Sequence, residues 1–245
     1  MEESIIEGRN PIIEALKADR EIERLWIAKG SDTGSVKKII GMAKEKRIPI
    51  EYVDRKILDN KSVTGASQGI IATVAAYKYS ELEDILSRAR EKQEDLFVLI
   101  LDGIEDPHNL GAITRTAEAT GVHGIIIPKR RAVGLTQTVV KASAGAIEYV
   151  PIVKVPNLVQ AIKTLKDNGA WIAAADISGK DYFESNLKGS IGVVIGSEGK
   201  GISKLVLENC DFSIKIPMKG EISSLNASVA AGVIMYEVVR QRTGI

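Results

Sequence analysis

One cysteine, two histidines and an aromatic content of 4% are what this 245-residue chain has least of. The lone Cys210 excludes an internal disulfide framework, and two histidines argue against a zinc cluster, so no metal is expected. No apolar run approaches the roughly 20 residues that cross a bilayer, so no membrane partner is expected either. The opening residues, MEESIIEGRN, lack the basic and apolar regions of a signal peptide, and the expected location is cytoplasmic. Net charge is +1, which announces no polyanionic partner. Local clusters such as Lys129-Arg130-Arg131 leave a nucleic-acid contact open, because binding depends on the phosphates neutralised at the contact itself.

What the chain does have is alternation. NPIIEALKA and Ser35 to Lys46 predict helices, LWIA (Leu25 to Ala28) and IPIEYV (Ile48 to Val53) predict strands, and GIIATVAAY predicts a third strand. Residues 1–76 therefore form a small α/β domain, and the charged stretch 77–94 reads as a linker helix. Residues 95–245 form a second domain that opens with LFVLILDGI, a run apolar enough to be buried on both faces. Further buried strands are expected at GIIIP, WIAAAD, IGVVIG and FSIKIP, alternating with helices over Leu110 to Thr120, Thr136 to Ala146, Leu158 to Asn168, Ile202 to Glu208 and Ala227 to Gln241. That pattern predicts a parallel sheet covered by helices.

Three loops in the second domain carry more polar chemistry than packing needs. In LDGIEDPHNLGAITRTAEATG, Asn109 stands at an expected helix start and Arg115 two turns in, where a capping Asn and an Arg115–Glu118 pair are the bland explanation. In VVIGSEGKGIS, Gly196, Gly199 and Gly201 permit close approach of backbone to a ligand, with Glu198 between them. The spacing GxxGxG is neither a P-loop nor a dinucleotide fingerprint. In IPMKGEISSLNASVAAG, Ser223, Ser224 or Asn226 can cap the last helix, yet three such side chains exceed one cap, and no Glu or Gln completes a capping box. The surplus points to ligand contacts at a strand-to-helix junction, where α/β proteins bind them.

These three ordered segments resemble the motifs of the SpoU/TrmH-type RNA ribose 2′-O-methyltransferases, and EGRNPIIEAL (Glu7 to Leu16) resembles the start of their small substrate-binding domain. The resemblance implies a C-terminal parallel-sheet domain tied in a deep trefoil knot, which general folding rules disfavour, plus an N-terminal L30e-like α/β domain that binds RNA. It implies S-adenosylmethionine as methyl donor, held by Gly196, Ile216 and Leu225, and Arg115 as the key catalytic residue supported by Asn109, Glu198, Ser224 and Asn226. The nearest likeness is to bacterial enzymes that methylate the ribose 2′-OH of a guanosine in 23S rRNA, so 23S rRNA is the expected partner. tRNA or another rRNA site is the alternative. A homodimer formed through the knot region is expected. SQG in TGASQGI (Thr64 to Ile70) departs from the His before Gln-Gly seen in many relatives.

Two other classes share parts of this pattern. A nicotinamide-dependent oxidoreductase shares the sheet but not the glycine spacing or the following acidic residue. An RNA-binding protein with a decayed catalytic domain is disfavoured because all five polar candidates are present.

Overall fold

The computed structural model describes residues 3–32, 34–75, 77–221 and 224–244. Ser223, one of the expected caps, lies outside them. In chain order the first elements are β1 (Glu3–Glu7), α1 (Arg9–Lys17), β2 (Ile22–Ala28), α2 (Ser35–Glu45), β3 (Ile50–Val53), α3 (Arg55–Lys61) and β4 (Ile70–Ala75). There follow α4 (Leu82–Lys92), β5 (Phe97–Asp102), α5 (Pro107–Ala119), β6 (Gly124–Pro128) and α6 (Gln137–Ala142). The last are β7 (Ile152–Val155), α7 (Leu158–Asp167), β8 (Trp171–Asp181), β9 (Ile191–Gly196), α8 (Lys204–Leu207), β10 (Phe212–Lys215) and α9 (Ala227–Thr243).

The chain divides into two compact units, the first holding residues 1–78 and 134–149, the second 79–133 and 150–245. In the first, a four-stranded sheet has the order β1-β4-β2-β3, antiparallel except for the β2–β3 pair. Alternation sends Leu25 and Ile27 of β2 into full burial, as do Ile12 and Leu16 one turn apart on α1. Residues 134–149 join this unit although they fall inside the second domain as read from sequence. The reason is a set of specific contacts: Glu148 takes Arg20 at 3.3 Å and the Tyr77 hydroxyl at 2.5 Å, and Tyr149 donates to Glu14 at 2.8 Å.

The second unit is a six-stranded parallel sheet in the order β10-β8-β9-β5-β6-β7. The central strands β5 and β9 are buried along nearly their whole length, as continuous Val and Ile runs require. Helix α4 is part of this core and not a free connector. Its Ile85, Leu86 and Ala89 pack with Val98, Ile100, Ile126 and Val153, and each fully buried Ile or Leu contributes about 1.5–3 kcal/mol. Strands β1 and β7 were not anticipated: β7 is only four residues long, too short to show a period, and lies between Pro151 and Pro156-Asn157.

Strand order reverses between β5 and β9, because the chain runs outward from β5 through β6 to β7 and later fills the other side. The C-terminal ends of these two neighbours, Asp102 and Gly196, are paired in register. A crevice at such a reversal is where open α/β sheets place their ligands.

Glu7, 3% exposed, organises the loop after α3. Its carboxylate accepts hydrogen bonds from Ser62 Oγ at 2.7 Å, the Val63 amide at 2.5 Å, and the Thr64 amide and hydroxyl at 3.2 and 2.5 Å. Burial acts to raise its pKa, but the donors from Thr64, Ser62 and Val63 outweigh it and hold the group below the usual carboxylate value. A depressed folded pKa contributes stability above the unfolded value of about 4.3, and this is lost as pH falls through the folded value. Glu7→Gln, which faces amide donors with an NH2 group, is expected to cost about 2 kcal/mol at pH 7. In urea titrations the gap between wild type and variant should narrow at pH 3; a gap independent of pH would refute the assignment.

Candidate functional site

Three polar side chains converge at the crevice. Asn109 comes from the first turn of α5, Glu198 from the turn after β9, and Asn226 from the start of α9. Glu198 Oε1 accepts from Asn109 Nδ2 at 3.0 Å, from Asn226 Nδ2 at 2.6 Å and from the Ala227 amide at 3.2 Å. Asn226 Nδ2 also donates to Asn109 Oδ1 at 2.9 Å. One carboxylate oxygen thus ties together three segments separated by up to 117 residues in sequence.

Each residue reaches that point for a local reason. Helix α5 starts earlier than expected, at Pro107, with Asp106 as the cap: its Oδ1 accepts from the His108 amide at 2.8 Å. Asp followed by Pro at the first helical position is a strong start signal. Asn109 is therefore not the cap, and its side chain turns inward, 9% exposed. Asn226 does cap α9: its Oδ1 accepts from the Ser228 and Val229 amides at 3.0 and 3.3 Å. Its acceptor holds the helix while its donor holds the network. The carboxylate of Glu198, beside the Ala227 amide, also sits favourably at the positive end of α9.

The turn carrying Glu198 is closed by the Ser197 amide to the Gly201 carbonyl at 3.2 Å and the reverse bond at 2.8 Å. Asp102 anchors its exit by accepting from the Ser203 amide at 2.7 Å. Gly196 is required here, since a Cβ on it would lie 2.3 Å from the Gly201 carbonyl carbon. Gly179 has the same constraint, 2.4 Å from the Ser213 carbonyl carbon.

Beside the network opens a cavity of about 400 Å³. Gly196, Ile216 and Leu225 line it, as do Ser224 and Glu198. Ile214, Met218 and Ile234 supply further apolar wall. Arg115 is not drawn into the network. It is exposed on α5, and among the described residues its guanidinium has neither an ion-pair nor a hydrogen-bond partner, Glu118 included.

Sequence reasoning missed one wall. Between Ala174 and Lys180 the register of β8 against β10 jumps, and the intervening residues bulge so that Ala175, Asp176 and Ile177 line the cavity. The available signal was an Asp followed by a Ser-Gly pair ending the apolar run WIAAAD.

A parallel sheet with a polar network and a cavity at its reversal point defines a ligand-binding α/β protein. Comparison with known proteins gives the family. Residues 96–236 match the SpoU rRNA Methylase family, and residues 5–80 match the RNA 2′-O ribose methyltransferase substrate binding family. The chain is 53% identical over 240 residues to YacO of Bacillus subtilis (strain 168), named for the TrmH family of tRNA/rRNA methyltransferases, covering 97% of this chain and 96% of that one. Among solved structures, the SpoU methyltransferase AviRb of Streptomyces viridochromogenes in complex with the cofactor AdoMet superposes with a TM-score of 0.84 at 26% identity, covering 99% of this chain and 92% of that one. The A. aeolicus TrmH/SpoU tRNA modifying enzyme matches at 33% identity and a TM-score of 0.56, covering 66% of this chain and 85% of its own. The chain belongs to the SpoU family and is a TrmH/SpoU-type tRNA/rRNA methyltransferase.

The double use of Asn226 can be separated. Asn226→Ala should lose both cap and network and cost about 1–2 kcal/mol in urea unfolding. Asn226→Asp keeps the cap acceptor but replaces the donor facing Glu198 with a like charge. Equal stability of Asn226→Asp and wild type would show that the network contributes nothing beyond the cap.

Proposed function

We propose that this protein methylates the ribose 2′-OH of a guanosine in 23S rRNA, using S-adenosylmethionine held in the cavity beside Asn109, Glu198 and Asn226. The observation that carries the reading is that single network, which fixes all three motif loops around one cavity. The site fits the donor on three counts. Its volume lies within the range of small-ligand sites. Ile216, Leu225 and Met218 offer apolar surface for a purine. Gly196 keeps the backbone accessible where any side chain would collide. When bound, the donor supplies an electrophilic methyl group, so the protein's task is alignment and proton removal.

In this reading Gly196, Ile216 and Leu225 hold the donor, largely through backbone groups. Ser224 and Asn226 shape the donor-side loop. Asn109 and Glu198 maintain the wall that the ribose approaches. Arg115 binds the phosphate beside the target ribose and lowers the cost of forming the 2′-alkoxide. A guanidinium keeps its proton in proteins, so this electrostatic part suits it better than that of a base. Its exposed position without a partner among the described residues supports an RNA contact. Residues 1–76 then serve to bind RNA and residues 95–245 to transfer the methyl group.

The knot implied by the resemblance is supported by the two tight chain crossings at Gly179 and Gly196. A homodimer is supported by α9. Its Val229 and Tyr236, seven residues apart on one face, are 51% and 55% exposed, and the opposite face is buried. Tyr236→Asp should shift sedimentation from dimer to monomer; a wild-type monomer at micromolar concentration would refute the pairing.

The test of function is transfer of labelled methyl groups to rRNA and tRNA from cells lacking the enzyme, with mapping of the modified nucleotide. Label in 23S rRNA at a guanosine ribose is expected. Label confined to tRNA would favour the second reading, which the tRNA/rRNA naming of YacO keeps in view. Arg115→Ala should lower turnover on the order of a hundredfold or more with donor affinity unchanged by calorimetry. Near-normal turnover would overturn the role of Arg115.

A further inference from the structure

We propose that Asp176 recognises the α-ammonium group of the donor's methionine tail. The inference rests on the donor site argued above. Two carboxylates line the cavity, Glu198 and Asp176. Glu198 already spends Oε1 on three donors that hold the loops together. Asp176 sits on the bulge that interrupts β8 and differs in how its two oxygens are used. Oδ1 accepts from the Ser178 amide at 2.9 Å and from the Ser178 hydroxyl at 2.6 Å, which fixes the orientation of the carboxylate. Oδ2 has no partner among the described residues. Among the described residues two cations share the cavity lining, Lys215, which pairs with Asp181 at 3.6 Å, and Lys200, which forms no ion pair with Asp176. An oriented carboxylate with one free oxygen on a cavity wall is suited to accept a charge-assisted hydrogen bond.

The donor offers two positive groups, the sulfonium and the α-ammonium, and the reaction decides between them. The sulfonium loses its charge as the methyl group leaves. A carboxylate facing it would stabilise the ground state more than the transition state and slow the transfer. The ammonium keeps its charge throughout, so a carboxylate there strengthens binding without opposing the chemistry. Asp176 therefore holds the tail, with Ser178 as its positioning residue.

Three probes separate the possibilities by calorimetry: S-adenosylmethionine, S-adenosylhomocysteine, which keeps the ammonium but has a neutral sulfur, and methylthioadenosine, which lacks the tail. Asp176→Asn preserves the acceptor for Ser178 and removes only the charge and the second acceptor. It should weaken both tailed ligands by a similar factor, roughly tenfold or more, and leave methylthioadenosine affinity unchanged, which also shows that the variant is folded. Ser178→Ala, which retains the carboxylate, should weaken the tailed ligands less than Asp176→Asn does. Loss confined to S-adenosylmethionine would place the carboxylate at the sulfonium and overturn the assignment. Equal loss for methylthioadenosine, or no loss for any ligand, would overturn it as well. Failure of the wild-type protein to bind any of the three would instead refute the donor site itself.

Discussion

The site depends on one oxygen atom, Glu198 Oε1, and on the donors that share it. A carboxylate oxygen that accepts from two side-chain amides and a main-chain amide fixes the relative positions of α5, the turn after β9 and α9. Helices α5 and α9 already pack along their length, with the Thr120 hydroxyl against Met235, so the carboxylate's share is to join the turn to the starting ends of both. Charged acceptors make hydrogen bonds worth about 1.5–3 kcal/mol each, enough to hold a surface turn whose own closure rests on only two backbone bonds. Removing the carboxylate would leave the Asn109 amide, largely buried, without its acceptor. The cost would fall on the cavity wall more than on the sheet, whose apolar core is independent of it.

Close packing of backbone against backbone is the second constraint. Gly179 and Gly196 each lie where a Cβ would meet main-chain atoms within 2.5 Å. Such contacts cannot be relieved by a rotamer change, because the obstacle is the chain itself. They bring the end of β9 against the Gly201–Ile202 peptide and β8 against Ser213, and so press the loops that line the cavity into a compact set. The same compactness explains why the bulge at Ala175–Ile177 faces the cavity: with β8 pinned on both sides of it, the extra residues have one direction in which to go.

Much of this was legible in the sequence, because the main elements obey local rules. Buried parallel strands announce themselves as Val and Ile runs, and the helices as apolar stripes between turn residues, so β5, β6, β8, β9, β10 and α9 were readable. Misreadings occurred where a local signal was ambiguous. Asn109 looks like a cap, but Asp106 followed by Pro107 wins that position, and the helix begins one turn earlier. Helix α4 looks like a linker because 7 of its 11 residues are polar, LEDILSRAREK, yet Ile85, Leu86 and Ala89 suffice to seat it on the sheet. Residues 134–149 look continuous with the second domain, and non-local contacts such as Arg20–Glu148, Tyr149–Glu14 and Lys141–Thr64 assign them to the first unit.

What the sequence determined by itself was the class of fold, the three ordered motif loops and the chemical character of their residues, since these follow from periodicity, turn chemistry and side-chain type. What only the tertiary structure decided was the division of work among those residues. That Asn226 caps a helix with its oxygen and binds Glu198 with its nitrogen, that Arg115 stands apart from both, and that Asp176 keeps one oxygen free on the cavity wall all depend on strand order and on a five-residue shift in register. Those are non-local facts. A chain's local pattern fixes which way a side chain can point, but the partner it finds there is set by how the sheet is assembled.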